Sequence, residues 1–275
     1  MPPPPPAPVA QPAPHRPPVL GLALGGGAAR GFAHVGVIQV LEEAGIRPDR
    51  VVGTSAGSLV AAIYASGRNG AQLQQIALEM EEATLTDWTL PLLRRGVLRG
   101  DALARYVNQQ VRGLPIEQMP LALGVVATDL HSGDGILFRR GDTGTAVRAS
   151  SAIPAIFQPV RIGSQDYVDG GLVAPVPVQY ARQMGAEVVL AVDISAEPAA
   201  ADADGTLQVL LQTFSIMGRS INRHELASAD VVVRPRLDQV GSTGFAQRQR
   251  AIEAGRQAML AALPKLRAAL AVKAL

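Results

Sequence analysis

Cysteine is absent from the 275 residues, so the chain has no disulfide framework, no thiol nucleophile and no thiolate-bound metal. That absence does not choose a compartment, because a cysteine-free chain suits cytoplasm and periplasm alike. Aromatic residues are scarce at 4 %, and no uninterrupted apolar run reaches membrane-spanning length although 48 % of residues are hydrophobic. Neither sign of charge is in excess. A formal net charge of +2 leaves no general nucleic-acid footprint. The first residues also lack the charged-then-apolar order of a secretory signal. What remains is enough apolar material for one large α/β domain.

Residues 1–18 depart from this composition, being rich in proline and alanine. They read as an extended, disordered leader before a domain spanning 19–275. The expected location is the cytoplasm, with or without membrane association, or the periplasm if the leader follows a removed signal.

Residues 19–66 organise the rest. An apolar run, Val19 to Leu24, breaks into Gly25, Gly26 and Gly27, which reads as a buried strand ending in an exposed turn. Phe32, Val35, Ile38 and Leu41 then recur at helical spacing until Gly45. A second apolar run delivers Gly53-Thr54-Ser55-Ala56-Gly57. Strand, turn, helix and strand form one βαβ unit, with both glycine-rich segments at the carboxyl ends of its strands, where open α/β sheets place ligands. In Gly-x-Ser-x-Gly a serine on a tight strand-to-helix turn projects its hydroxyl, and the glycines let neighbouring backbone approach. As a bare pattern it is also compatible with a simple helix cap at Thr54 or Ser55.

The glycine run has rival readings. A dinucleotide fingerprint needs a small residue where bulky Arg30 stands, and Asp49 comes before the second strand instead of at its end. A phosphate loop needs Gly-Lys-Ser/Thr, which is absent. Backbone amides of the run at a helix N-terminus would instead suit an oxyanion hole.

Further along, 70–83 and 101–113 read as helices, with Asp101 as an N-cap, and 84–100 is irregular and holds Trp88. Strands are expected over 121–127, 136–138, 187–193 and 231–233. Helices are expected over 143–151, 205–228 and 245–263, with an interruption at Pro264. The 265–275 tail, with an apolar side and three basic residues, reads as packed on the domain, an interfacial helix being the alternative. Asp129, Asp169 and Asp193 all follow apolar runs and compete as partners for Ser55. Of the four histidines, His15 lies in the leader, His34 early in the first helix and His131 in a polar turn. Only His224 satisfies the order Ser, Asp, His, and it falls within a helical pattern, as a surface residue.

Three segments together, Gly25 to Gly31, Gly53 to Gly57 and Asp169-Gly170-Gly171, resemble the signatures of patatin-like phospholipases, nearest to bacterial members akin to the catalytic domain of neuropathy target esterase. Residues 149–154 add to the likeness, which covers 19–195 well. The resemblance, not the spacing, selects Asp169. It implies a three-layer α/β/α domain with a mainly parallel central sheet and a serine–aspartate acyl hydrolase. Ser55 would be the nucleophile and Asp169 its base. Gly25, Gly26, Gly27 and Ala28 would form the oxyanion hole with Arg30 close by. Gly53, Thr54, Ala56 and Gly57 would shape the elbow, and Gly170 and Gly171 the acid's turn. The family's layout would also bring Trp88, Leu90, Leu92, Leu93 and Leu98 to lipid chains. The substrate implied is a phospholipid, lysophospholipid or other ester, with no cofactor, no metal, no nucleic acid and peripheral membrane contact. A silent acyl-binding regulator and a nucleotide-binding oxidoreductase are the alternatives.

Overall fold

The structure is a computed structural model that describes residues 16–80, 100–195, 205–238, 240 and 245–273. Its elements in chain order are β1 (Leu20–Leu24), α1 (Ala33–Glu43), β2 (Arg50–Thr54), α2 (Ala56–Ala65), α3 (Gly70–Glu79) and α4 (Asp101–Gln110). There follow β3 (Ala122–Asp129), β4 (Gly135–Phe138), α5 (Thr143–Ser150), β5 (Val160–Ile162) and β6 (Gln165–Asp169). The chain closes with α6 (Val178–Gln183), β7 (Val188–Val192), α7 (Thr206–Ala227), β8 (Val231–Val233) and α8 (Arg248–Lys273).

One sheet runs β5-β6-β3-β2-β1-β7-β8, with β4 on the second edge of β3. The β3-β2-β1-β7-β8 core is parallel, while β4, β5 and β6 join antiparallel. β1 and β7 are buried at every position, as expected of strands covered on both faces. Alternation along each strand divides the core in two. Leu22 and Leu24 of β1, Val51 of β2 and Leu190 of β7 pack with α1, α2 and α8. Ala23, Val52, Val126 and Ala191 point the other way, to Val178 and Ala181 of α6 and Leu226 of α7. The result is three layers, helices–sheet–helices. No described helix is long and apolar enough to cross a membrane.

Four local details differ from the sequence reading. Asp101 is the first helical residue of α4, not its cap; the cap is Gly100 at φ 72°, and Asp101 instead pairs with Arg148 at 2.6 Å. Pro264 does not interrupt the last helix, which runs through it. One hydrogen bond is forfeited there, while fully buried Met259 and Leu266 on either side keep the helix against the body. The tail thus packs on the domain. β5 leaves no mark in the sequence, because three residues carry no pattern by themselves. It exists through its hairpin with β6 across Gly163. A 3-10 turn, Ala28–Phe32, also precedes α1.

α1 and α8 cross at a glycine pair. A Cβ on Gly36 would collide with the Ile252 carbonyl oxygen, and one on Gly255 with that of Ala33. Gly255→Ala should therefore lower stability by about 1–3 kcal/mol through overpacking. Denaturant titration checks this, and an unchanged midpoint would contradict so close a crossing.

Candidate active site

The site follows from how β3 is shared. On one edge β3 carries β4, which pairs Ala127 with Ile136 and Thr128 with Gly135. Its other edge is occupied by two strands end to end. β2 pairs up to Thr54↔Val126, and β6, arriving from the opposite direction, takes over at Ala127↔Asp169. Ser55, next after Thr54, and Asp169, the last residue of β6, therefore meet at the junction.

At the elbow Ser55 has φ 52° and ψ −123°, a left-handed conformation costly for a side chain with a Cβ. Its surroundings enforce it. Ser150 at the end of α5 accepts the Ser55 N–H at 2.8 Å and donates its own proton to the Val126 carbonyl at 2.6 Å. Thr54 donates to the Ala174 carbonyl at 2.8 Å, and the Ser55 carbonyl accepts from both the amide and the hydroxyl of Ser58. Gly57 is required because any Cβ there would collide with the Leu24 carbonyl oxygen at the end of β1. The first turn of α2 can thus lie against the glycine loop.

Asp169 is held from every side. Its N–H donates to the Ala152 carbonyl at 3.0 Å, its carbonyl accepts from Thr128 Oγ1 at 2.8 Å, and Oδ1 accepts from the Gly171 amide at 2.6 Å. The Ser55 hydroxyl is close enough to the same carboxylate to favour its charged form. Burial pushes the Asp169 carboxyl up from 3.8 to about 6, with the Gly171 amide and the Ser55 hydroxyl pulling in the opposite direction. A carboxylate so placed is a much better proton acceptor near neutral pH than an exposed aspartate. Its rivals are otherwise engaged. Asp129 turns its carboxylate to the amides of His131 and Ser132, and Asp193 accepts from Ser195 and Arg234.

The glycine loop corrects part of the oxyanion expectation. The Gly25 amide donates to Val192 at 3.0 Å and the Gly26 amide to Pro175 at 2.9 Å, so neither is free to receive a developing charge. Gly27 and Ala28, the latter at φ 50°, have no such acceptor among the described residues. These two remain as donors beside the elbow. Arg30 is half-buried, with Nε 3.5 Å from the Gly27 carbonyl; desolvation lowers its pKa and Asp193 opposes that. The same hydrogen bonds count against a dinucleotide site, since a pyrophosphate needs the amides spent here. Asp49 in turn uses its carboxylate to hold the Leu20 amide at 2.8 Å.

Two contributors carried no role in the sequence reading. Ser150 lies in the segment that resembles the family, but nothing local marks a serine as the anchor of a distant amide. His34 is fully buried and donates from Nε2 to the Gly25 carbonyl at 2.8 Å, while burial lowers its pKa to about 4. It is therefore a neutral clamp on the loop. His131 and His224 are both exposed.

Beside the loop and the elbow, an apolar cavity of about 40 Å³ opens at Ala28 and Ala56. Phe32, Val35, Leu59, Ile63, Leu73 and Met80 lie along it. Trp88, Leu90, Leu92, Leu93 and Leu98, the residues expected near lipid chains, lie outside the described residues, and the apolar lining seen here comes from the 3-10 turn before α1, from α1, α2 and α3, and from Met80 just after α3.

A family model described as "Patatin-like phospholipase" matches residues 22–182. An uncharacterized NTE family protein of Mycobacterium tuberculosis is 32% identical over 271 residues, which covers 89% of this chain and 46% of that protein. Patatin-like phospholipase domain-containing protein 6 of Mus musculus is 32% identical over 186 residues, or 65% of this chain and 14% of that protein. The chain thus spans under half the length of these curated relatives. Among solved structures, VipD from Legionella pneumophila superimposes with a TM-score of 0.58 at 15% identity, covering 90% of this chain and 67% of that one. At that identity the likeness concerns the fold.

The raised carboxyl has a sign that can be tested. Between pH 3.8 and about 6 the native state binds more protons at Asp169 than the unfolded chain, so its contribution worsens as pH rises and is fully unfavourable above 6. Asp169→Asn keeps an acceptor for Gly171 and removes the buried charge. It should stabilise the protein at pH 8 by roughly 3 kcal/mol at most, with the gain gone below pH 4. Denaturant titrations at the two pH values read it. Equal stability of wild type and variant at pH 8 would contradict a costly buried carboxylate.

Proposed function

The chain belongs to the patatin-like phospholipase family, and from that premise we propose that it is a serine acyl hydrolase working with a Ser55–Asp169 dyad on esters of phospholipids or lysophospholipids. One observation carries the reading: strand pairing sets a strained serine beside a buried carboxylate whose proton affinity is raised towards neutrality.

In the proposed cycle Asp169 accepts the Ser55 proton as Oγ attacks the ester carbonyl. The tetrahedral oxyanion is held by the amides of Gly27 and Ala28, with the first turn of α2 adding its dipole. Collapse releases the alcohol, which takes the proton from Asp169, and leaves the acyl group on Ser55. Water then gives its proton to Asp169 and attacks the acyl carbonyl, and Ser55 leaves with that proton as the free acid departs. The apolar cavity at Ala28 and Ala56 receives the acyl chain, whose burial supplies binding without any directional polar contact.

Fluorophosphonate labelling followed by peptide mapping, alongside ester turnover, tests this. Wild type should be labelled at Ser55, and Ser55→Ala should lose both labelling and turnover by at least about 10³-fold while keeping its fold. The wild-type rate should rise with pH through a midpoint of about 6 to a plateau, as Asp169 deprotonates. His224→Ala should leave kcat within about twofold, consistent with an exposed helix position. Turnover retained in Ser55→Ala would defeat the scheme, and a large loss in His224→Ala would favour a triad.

A further inference from the structure

The outward face of α7 has an unusual composition for a surface helix. Its inward side is fixed to the body: Gly218 lies against Pro175, Asn222 Oδ1 accepts the Val176 amide at 3.1 Å, and Glu225 accepts the Gln179 amide at 3.1 Å. A surface helix then ordinarily presents polar residues to water. Here the outward positions include Val209, Ile216 and Met217, exposed by 51%, 55% and 51%. They account for three of the seven large hydrophobic residues exposed among those described, all on one helical arc.

The charge on this arc has one sign. Arg219 and Arg223 stand exposed beside Ile216, at i+3 and i+7 from it. Neither forms a salt bridge among the described residues, and Arg223 donates to Ser220 of its own helix at 3.4 Å. No acid occurs from Thr206 to His224. The first, Glu225, is half-buried with its carboxylate turned inward to Gln179. Apolar side chains flanked by unopposed arginines match a bilayer interface with anionic headgroups, where acyl chains meet the former and phosphates the latter. An isologous pairing of two copies would instead bring these arginines together without a carboxylate between them.

The position fits the enzyme. The Pro175 ring that supports Gly218 belongs to the residue whose carbonyl holds the Gly26 amide, and α7 packs on the turn after Asp169. One helix diameter, about 10 Å, thus separates the exposed arc from the loop and turn that frame Ser55. We propose that the Val209–Ile216–Met217 face of α7, with Arg219 and Arg223, is the surface by which this protein docks on anionic lipid bilayers. This rests on the reading of the protein as a lipid hydrolase for its purpose, but not for its measurement.

Sedimentation with vesicles of phosphatidylcholine alone, or mixed equally with phosphatidylglycerol, is the test, using the full chain carrying Ser55→Ala so that hydrolysis cannot intervene. The protein should partition at least about tenfold more strongly onto the anionic vesicles, less so as salt is raised. Arg219→Gln with Arg223→Gln should weaken that partitioning about 30-fold, near fivefold per cation. Ile216→Gln with Met217→Gln should weaken binding to both kinds of vesicle. In the Ser55 background both double variants should hydrolyse a soluble short-chain ester as wild type does, which shows the site intact. Partitioning that is the same for wild type and both variants would overturn the proposal. So would a change from dimer to monomer in the apolar variant with vesicle binding unaltered. Failure of the hydrolase reading would appear separately, as turnover surviving Ser55→Ala.

Discussion

Two strands laid end to end along one edge of β3 are the constraint on which the rest depends. β2 runs parallel and stops at Thr54↔Val126, and β6 comes back antiparallel and stops at Ala127↔Asp169. Neither can slip by a residue without turning its side chains to the wrong face of a sheet covered on both sides. The backbone ladder therefore brings a residue at 55 and one at 169 to the same place with little freedom. The sharp turns that follow, Gly-x-Ser-x-Gly and Asp-Gly-Gly, set both residues at the carboxyl edge of the sheet.

That arrangement is unfavourable by itself, and the surroundings offset it. A left-handed serine and a buried carboxylate each cost free energy. The Ser55 amide is tied to Ser150, which in turn is tied to β3 at Val126. Asp169 is fixed at its amide, carbonyl and carboxylate. The glycine loop is held from three directions, by Val192, Pro175 and the neutral ring of His34. Rigid bonds to distant strands thus replace the mobility that a glycine-rich loop would otherwise have. The residues that do this anchoring take no part in the proposed bond-making.

Much of this was legible in the residues, and the limits have physical causes. Apolar runs followed by glycine revealed β1 and β2, because buried parallel strands carry no polar alternation to obscure them. The elbow was visible since three local positions specify it. Asp169 was not: Asp129 and Asp193 also follow apolar runs, and only pairing between strands, or likeness to a family, separates them. Gly25 and Gly26 read from the sequence alone as oxyanion donors, because the carbonyls that consume their amides lie at Val192 and Pro175, far off in the chain. Ser150, the Gly36–Gly255 crossing and the unbroken helix through Pro264 were illegible for the same reason. Each depends on what another part of the chain presses against it.

The central claim is a shared proton between Ser55 and Asp169, and carboxyl carbon NMR of Asp169 reads it most directly. In the wild type the resonance should titrate at about 6. In Ser55→Ala it should move higher, because the hydroxyl that favours the charged form is gone while the burial is not. A midpoint near the ordinary 3.8, unmoved by loss of the serine, would contradict the account.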